Sequence, residues 1–398
     1  MDTKLIGGIL LIVGTSIGAG MLALPIANSM TGFIYSSLLL FVCWFLMTAS
    51  AFLILEVNLW LQANNNIISM AKVTLGSSGQ VIAWLTYLLL LYSLLSAYIA
   101  GGADFFQTLV AGTGFHISHT LSMICFTGVL GTVVYQGIRS VDYINRGLMF
   151  VKFSTLLILL VVVLTFVSPA YLLEGNAKYF ASSTTVAITS FGFATIIPSL
   201  RSYFQSDIAK LRKAILIGSL IPLICYIAWD LAIMGTIPRN GSNGLIAMNQ
   251  SGHSTSDFVI ALSTLLQRNT ITIAAKVFTS ICLATSFLGV ALCLSDFLAD
   301  GFQVKPTNKG KLLVNGATFL PPFIIVLLFP GAFIAALSYA GIYCVILLVL
   351  LPALMAWRGR YHLHLAGTYQ LVGGKPLLLT LLVIGVLIIC QPLLPAVF

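Results

Sequence analysis

Charge is what this sequence has least of. Asp, Glu, Lys and Arg make up 7% of its 398 residues, only 10 of them acidic, whereas hydrophobic residues make up 59%. A soluble domain carries roughly 25% charged residues. A chain this apolar cannot present a water-compatible surface by folding alone, which excludes a soluble globular domain. Ten-residue alternation is lacking while long unbroken apolar runs are present, so the spans are helices and a barrel is excluded. The cysteines (Cys43, Cys125, Cys225, Cys282, Cys293, Cys344 and Cys390) lie in apolar segments without metal-ligand spacing and read as small apolar filler. The histidines (His116, His119, His253, His362 and His364) fall in the connections, which leaves no Ser–His set inside the spans for an intramembrane enzyme. With no nucleotide-binding loop, metal cluster or nucleophile–base arrangement, the chain reads as a non-enzyme with no metal and no cofactor.

What is there is a series of spans. A membrane helix needs about 20 apolar residues. Eleven segments qualify: 4–30, 34–60, 81–110, 118–137, 144–168, 184–205, 211–237, 271–301, 312–330, 332–357 and 375–396. The first is too long and too glycine-rich for a cleaved signal peptide and reads as a retained helix. With the N-terminus in the cytoplasm, only Lys178, Arg239, Arg268 and Lys276 of the 19 Lys and Arg lie outside. The positive-inside rule therefore predicts a cytoplasmic N-terminus and, after eleven spans, an external C-terminus. This bias accounts for the net charge of +9 without a nucleic-acid partner. No linker divides the chain, so 1–398 reads as a single membrane domain. Its longest non-helical stretch is expected at about 238–269.

Two spans are interrupted. In "GTSIGAGMLALPIA" (14–27), Gly14, Gly18 and Gly20 precede Pro25; in "TSFGFATIIPSL" (189–200), Gly192 precedes Pro198. Both residue types are poor in helix interiors. Five spans separate the two starts, so helix 6 begins outside where helix 1 begins inside. Interrupted helices at corresponding places in two oppositely oriented halves point to an inverted-repeat transporter, with helices 1–5 and 6–10 (about 4–168 and 184–357) as repeats and helix 11 (375–396) added. Unwinding frees backbone groups, which survive in a membrane only around a protein-lined cavity. New helix ends carry partial charge, positive at the N-terminus and negative at the C-terminus. An amino-acid zwitterion matches them: its carboxylate suits the N–H groups of Gly18, Ala19 and Gly20, and its ammonium the carbonyls near Thr15 and Ser190. The competing reading of the glycines is close helix packing.

The segments "GTSIGAGMLALP" (14–25), "LLSAYIAGGADF" (94–105), "SFGF" (190–193), "ATSFLGVALCLSDFLAD" (284–300) and "GGKP" (373–376) resemble the tyrosine permeases of the hydroxy/aromatic amino acid permease family, in order and spacing over the whole chain. The resemblance implies an all-α, leucine-transporter-like fold of eleven helices with broken helices 1 and 6. It also implies import of an aromatic amino acid, foremost L-tyrosine, with protons, across the bacterial inner membrane, with the C-terminus periplasmic. Tryptophan or a broader set of neutral amino acids is the alternative substrate class, and a channel or receptor the competing class of protein. The sequence departs from the family at Ala194 and Thr195, where helix 6 otherwise continues with a histidine and a glycine.

Lys152 lies six residues beyond Arg146, roughly 9 Å into helix 5. By resemblance it matches a helix 5 lysine that stands where sodium sits in sodium-coupled relatives. A buried ammonium can surrender its proton or replace a bound cation; the bland alternative is a snorkelling lysine. Asp230 is the most deeply placed carboxylate and the second proton-coupling candidate, whereas Glu56 and Asp104 lie near helix ends. An aromatic ring needs apolar walls and a few polar points. Tyr92 and Ser96 share a face of helix 3, Phe191 and Phe193 flank the helix 6 break, and Thr285 and Ser286 lie in mid-helix 8, where either could face Lys152. The expected partners are thus an aromatic amino acid, protons and the lipid bilayer, with no ATPase subunit.

Overall fold

Helices begin where a side chain can cap the free N–H groups and stop where glycine lets the backbone turn. The computed structural model describes residues 3–62, 65–181, 183–304, 307–365 and 367–391, and among them it contains helices and no strand. Helices α1 (Thr3–Ser16) and α2 (Ala19–Ala27) are bent by 50° about Ile17 and Gly18. Gly32, at φ +83°, then turns the chain into α3 (Phe33–Leu59). There an added Cβ would lie 2.1 Å from the Glu174 carbonyl oxygen, so only glycine fits.

Asn66 caps α4 (Ile67–Ala111) by accepting the Ser69 N–H at 2.9 Å, and Gly76, at φ +81°, kinks it. Helix 3 was expected to begin at 81; its preceding turns are helical because this cap and kink let them fold back. Ser118 caps α5 (His119–Gln136), so His119 opens a helix and does not lie in a connection. Then follow α6 (Ile138–Val163), the short α7 (Pro169–Leu172) and α8 (Thr184–Ser190). A 3-10 turn at Gly192–Ile196 leads into α9 (Ile197–Tyr203), with Pro198 in its first turn. Asp207 caps α10 (Ile208–Thr236).

The stretch 238–269, expected to be non-helical, holds α11 (Leu245–Ser251) and α12 (Ser254–Leu266). It folds because Phe258, Val259, Leu262 and Leu266 form a buried apolar face. The chain continues with α13 (Asn269–Gly301), α14 (Asn308–Leu328) and α15 (Phe333–Val345). A π turn at Ile346–Leu350 joins α15 to α16 (Leu351–Tyr361), and α17 (Gly374–Cys390) ends the described helices. The final residues of segment 375–396 lie outside the described residues.

Seven of the described helices are long and apolar enough to cross a membrane, or eight if the bent α1–α2 pair counts as one span. Large apolar side chains such as Leu10, Phe41, Val129, Leu157 and Leu387 are exposed. Together these helices make a multi-pass membrane protein, whose outer face lipid would cover.

The two interrupted helices pack against each other. α2 lies on α8, and α1 lies on the Gly192–Ile196 turn. The first half of one thus meets the second half of the other, so they cross with opposite directions and their breaks are adjacent. α10 packs along α1 and α3, α13 along α6 and α4, and α15 along α4 and α8. This arrangement surrounds the paired breaks with helix faces.

Candidate functional site

At the end of α1 the helix leaves carbonyls without intrahelical partners, and the surrounding helices supply donors. Lys152 of α6 is fully buried; its Nζ donates to the Ile17 carbonyl at 2.7 Å and faces Thr285 Oγ1 at 3.5 Å. It therefore ties the break to α13 and does not snorkel. Ser286, the next residue on α13, accepts the Ala19 N–H at 2.9 Å, satisfying the first amide of α2. The Tyr98 hydroxyl lies beside Ser286.

Gly18 and Gly20 allow this closeness. A Cβ on Gly18 would fall 2.4 Å from Ser286 Oγ, and one on Gly20 would fall 2.9 Å from Ser190 Oγ. The space over Gly20 is thus occupied by α8, which is the close-packing role. Ser190 is buried and its hydroxyl donates to the Val186 carbonyl at 3.0 Å. Phe191 and Phe193 are fully buried on either side of the second break.

Three candidates lie differently from the rest. Thr15 is exposed, and its hydroxyl donates to the Leu11 carbonyl at 2.7 Å. Tyr92 donates to the Ala317 carbonyl of α14 at 2.7 Å, and Ser96 donates to the Tyr92 carbonyl at 2.8 Å. Their polar atoms are committed away from the breaks.

Tyr226 of α10 is a residue that the sequence reading did not single out. It is fully buried, and its hydroxyl lies 2.6 Å from the Ser16 carbonyl oxygen and 2.8 Å from that of Ser190. These carbonyls end α1 and α8, so one side chain joins both breaks. Its ring stands edge-on to Phe191 with centroids 5.2 Å apart. A signal was present: Tyr226 precedes Asp230 by four residues on one face of the helix, and a buried tyrosine hydroxyl seeks a partner.

Asp230 is fully buried and accepts from Asn28 Nδ2, at the end of α2, at 2.9 Å. Asp230 Oδ1 and Asn28 Oδ1 have no hydrogen-bond partner among the described residues. Both free atoms are acceptors when the carboxyl is ionised. One proton on Oδ1 would make the carboxyl a donor and leave the amide and acid complementary.

The other two carboxylates hold elements together. Glu56 is buried and pairs with Arg360 of α16 through Nε at 2.7 Å and Nη2 at 2.5 Å, and it also accepts the Leu371 N–H at 2.8 Å. Asp104 accepts from Thr255 Oγ1 at 2.6 Å and from the Ser256 N–H at 3.0 Å, and lies 2.9 Å from His253 Nδ1. It thereby caps α12 from α4. Among the described residues no group of three His, Cys, Asp or Glu could hold a metal ion.

Such a site brings together helix-end carbonyls, a buried lysine and aromatic walls, a set that suits a ligand with an amino group and an apolar side chain. The model of the tryptophan/tyrosine permease family matches residues 1–392. The chain is 34% identical over 395 residues to the tyrosine-specific transport system 1 of Haemophilus influenzae, covering 98% of this chain and 96% of that one. To the tyrosine-specific transport system 2 of the same organism it is 35% identical over 398 residues, covering 99% and 97%. To a tryptophan-specific transport protein of that organism it is 32% identical over 406 residues, covering 96% and 94%.

Proposed function

The chain belongs to the tryptophan/tyrosine permease family, and from that premise we propose that it imports aromatic amino acids, with L-tyrosine as its substrate, by proton-coupled symport. It is a transport protein and not an enzyme. The observation that carries the site reading is the meeting of two broken helices, where the Ser16 and Ser190 carbonyls both come within hydrogen-bond distance of the one Tyr226 hydroxyl. The substrate class rests on the near full-length likeness to two tyrosine-specific systems. Tryptophan is the second reading, favoured by the tryptophan-specific relative.

The crossing of α1–α2 with α8–α9 supports a leucine-transporter-like arrangement of eleven spans in one membrane domain, five related to five by inversion. The Lys and Arg bias supports a bacterial inner membrane protein with a cytoplasmic N-terminus and a periplasmic C-terminus. In this reading the substrate binds at the breaks near Gly18, Ala19, Ser190, Phe191 and Phe193, Gly20 packs α2 onto α8, and Ser286 holds the outer half of helix 1.

Coupling runs through Lys152. As an ammonium it donates to Ile17 and Thr285 and so bridges helices 1 and 8. On losing its proton it loses both charge and a donor, and the bridge slackens. Asp230, paired with Asn28, is the second proton site. No ATPase subunit is needed. Counterflow in proteoliposomes across the twenty amino acids tests the reading. Tyrosine, and more weakly tryptophan and phenylalanine, should drive accumulation of labelled tyrosine; a profile led by non-aromatic residues, or no saturable counterflow, overturns it.

A further inference from the structure

The Ser16 and Ser190 carbonyls end two helix halves, and each carries the partial negative charge of a helix C-terminus. Both oxygens lie within hydrogen-bond distance of one atom, the Tyr226 hydroxyl, at 2.6 Å and 2.8 Å. Two like partial charges in a buried place repel, and the hydroxyl between them offsets that repulsion. A tyrosine hydroxyl has one proton, which it shares between the two carbonyls or gives to one of them, so it cannot fully satisfy both. Each carbonyl keeps a further lone pair. The pair is therefore short of donors and held at a fixed separation.

Building on the amino acid reading above, we infer that Tyr226 is a positioning residue for the substrate's ammonium group: its hydroxyl clasps the ends of the two broken helices so that both carbonyls accept from one ammonium. An ammonium brings three N–H donors and a full positive charge, which the clasped pair lacks. The ring is well placed to hold the hydroxyl still, because it is fully buried and braced edge-on by Phe191. α10 is itself continuous through Tyr226, so the clasp is anchored on an element without a break.

A residue with this role acts on the amino group and not on the rest of the ligand. The test compares L-tyrosine with desaminotyrosine, the same molecule without its amino group, as competitors for binding to the full-length protein. Tyr226→Phe keeps the ring and removes the hydroxyl. The variant should weaken L-tyrosine by about tenfold, the loss of one hydrogen bond of ordinary strength, and leave desaminotyrosine within about twofold of its wild-type value. Equal weakening of both ligands, or no change in either, overturns the proposal.

A second measurement keeps the test independent of how well the variant folds. Wild-type protein carrying fluorotyrosine at position 226 should show a fluorine resonance that moves on adding L-tyrosine and stays on adding desaminotyrosine. Movement with both, or with neither, also overturns it. Failure of the substrate reading is distinguishable: if the wild type binds another amino acid, the comparison is made with that amino acid and its desamino counterpart. A wild type that binds no amino acid overturns both.

Discussion

Gly18 and Gly192 stand at the two breaks but face different surroundings. A Cβ on Gly18 would meet Ser286 Oγ at 2.4 Å, whereas one on Gly192 would find only Cys344 Sγ at 3.9 Å. Gly18→Ala must therefore push the Ser286 hydroxyl aside and strip the Ala19 N–H of its acceptor, at a cost of about 1–3 kcal/mol. Tyrosine uptake should fall by about tenfold or more, while Gly192→Ala should stay within about twofold of wild type; initial-rate uptake at matched expression checks the pair. Equal rates in the two variants would contradict the fit seen at Gly18. At this scale legibility was uneven. Ser190 was legible because glycine marks where helix 6 opens, Lys152 because a charge deep in an apolar span stands out, and Ser286 only through its place in mid-helix 8. The Thr15 side chain turns outward, and the carbonyl of the next residue, Ser16, is the one that meets Tyr226. Tyr226 was hidden because an aromatic residue in an apolar helix reads as packing until its hydroxyl is seen between two carbonyls.

Among the elements, α12 depends most on a distant residue. Asp104, on α4, accepts from Thr255 and from both the N–H and the hydroxyl of Ser256, so it supplies the cap that α12 lacks locally. Its sequence is rich in Ser and Thr, and its short buried face gains stability only by packing on other helices, chiefly α13 and α4. That is why 238–269 reads as a loop. The same reasoning covers the start of α4, where Asn66 and Gly76 decide the path. Asp104→Ala should leave the Ser256 N–H without its acceptor and weaken the element by about 1–3 kcal/mol. Hydrogen exchange over 254–266 should quicken by about tenfold or more, with α17 unchanged. Uniform quickening throughout the protein would mean that Asp104 supports the whole fold and not this cap. The broken helices were legible as elements because Gly and Pro interrupt otherwise continuous apolar runs at Gly18 and Gly192. The π turn at Ile346–Leu350 carried only the mark of Pro352 just after it, which the expected span 332–357 ran straight through.

For the whole molecule, the presence of several membrane helices was readable because hydropathy over about 20 residues is a strong signal; seven or eight of the described helices qualify as spans, where eleven segments were expected. How the helices pack was not readable, because a span apolar on all sides does not disclose which face meets protein; α6 is mostly lipid-like in composition, yet it buries Lys152. In the proposed mechanism this lysine, bridging Ile17 and Thr285, carries the coupled proton. Proteoliposomes given an inward pH gradient without sodium test it directly, comparing wild type with Lys152→Gln, which keeps much of the length and hydrogen bonding but cannot cycle a proton. The account predicts uphill L-tyrosine uptake by the wild type. The variant should exchange tyrosine but accumulate little, with a rate that no longer follows pH. Uptake that demands sodium at constant pH, or an unaltered pH profile in Lys152→Gln, would contradict it and leave Asp230 as the remaining proton site.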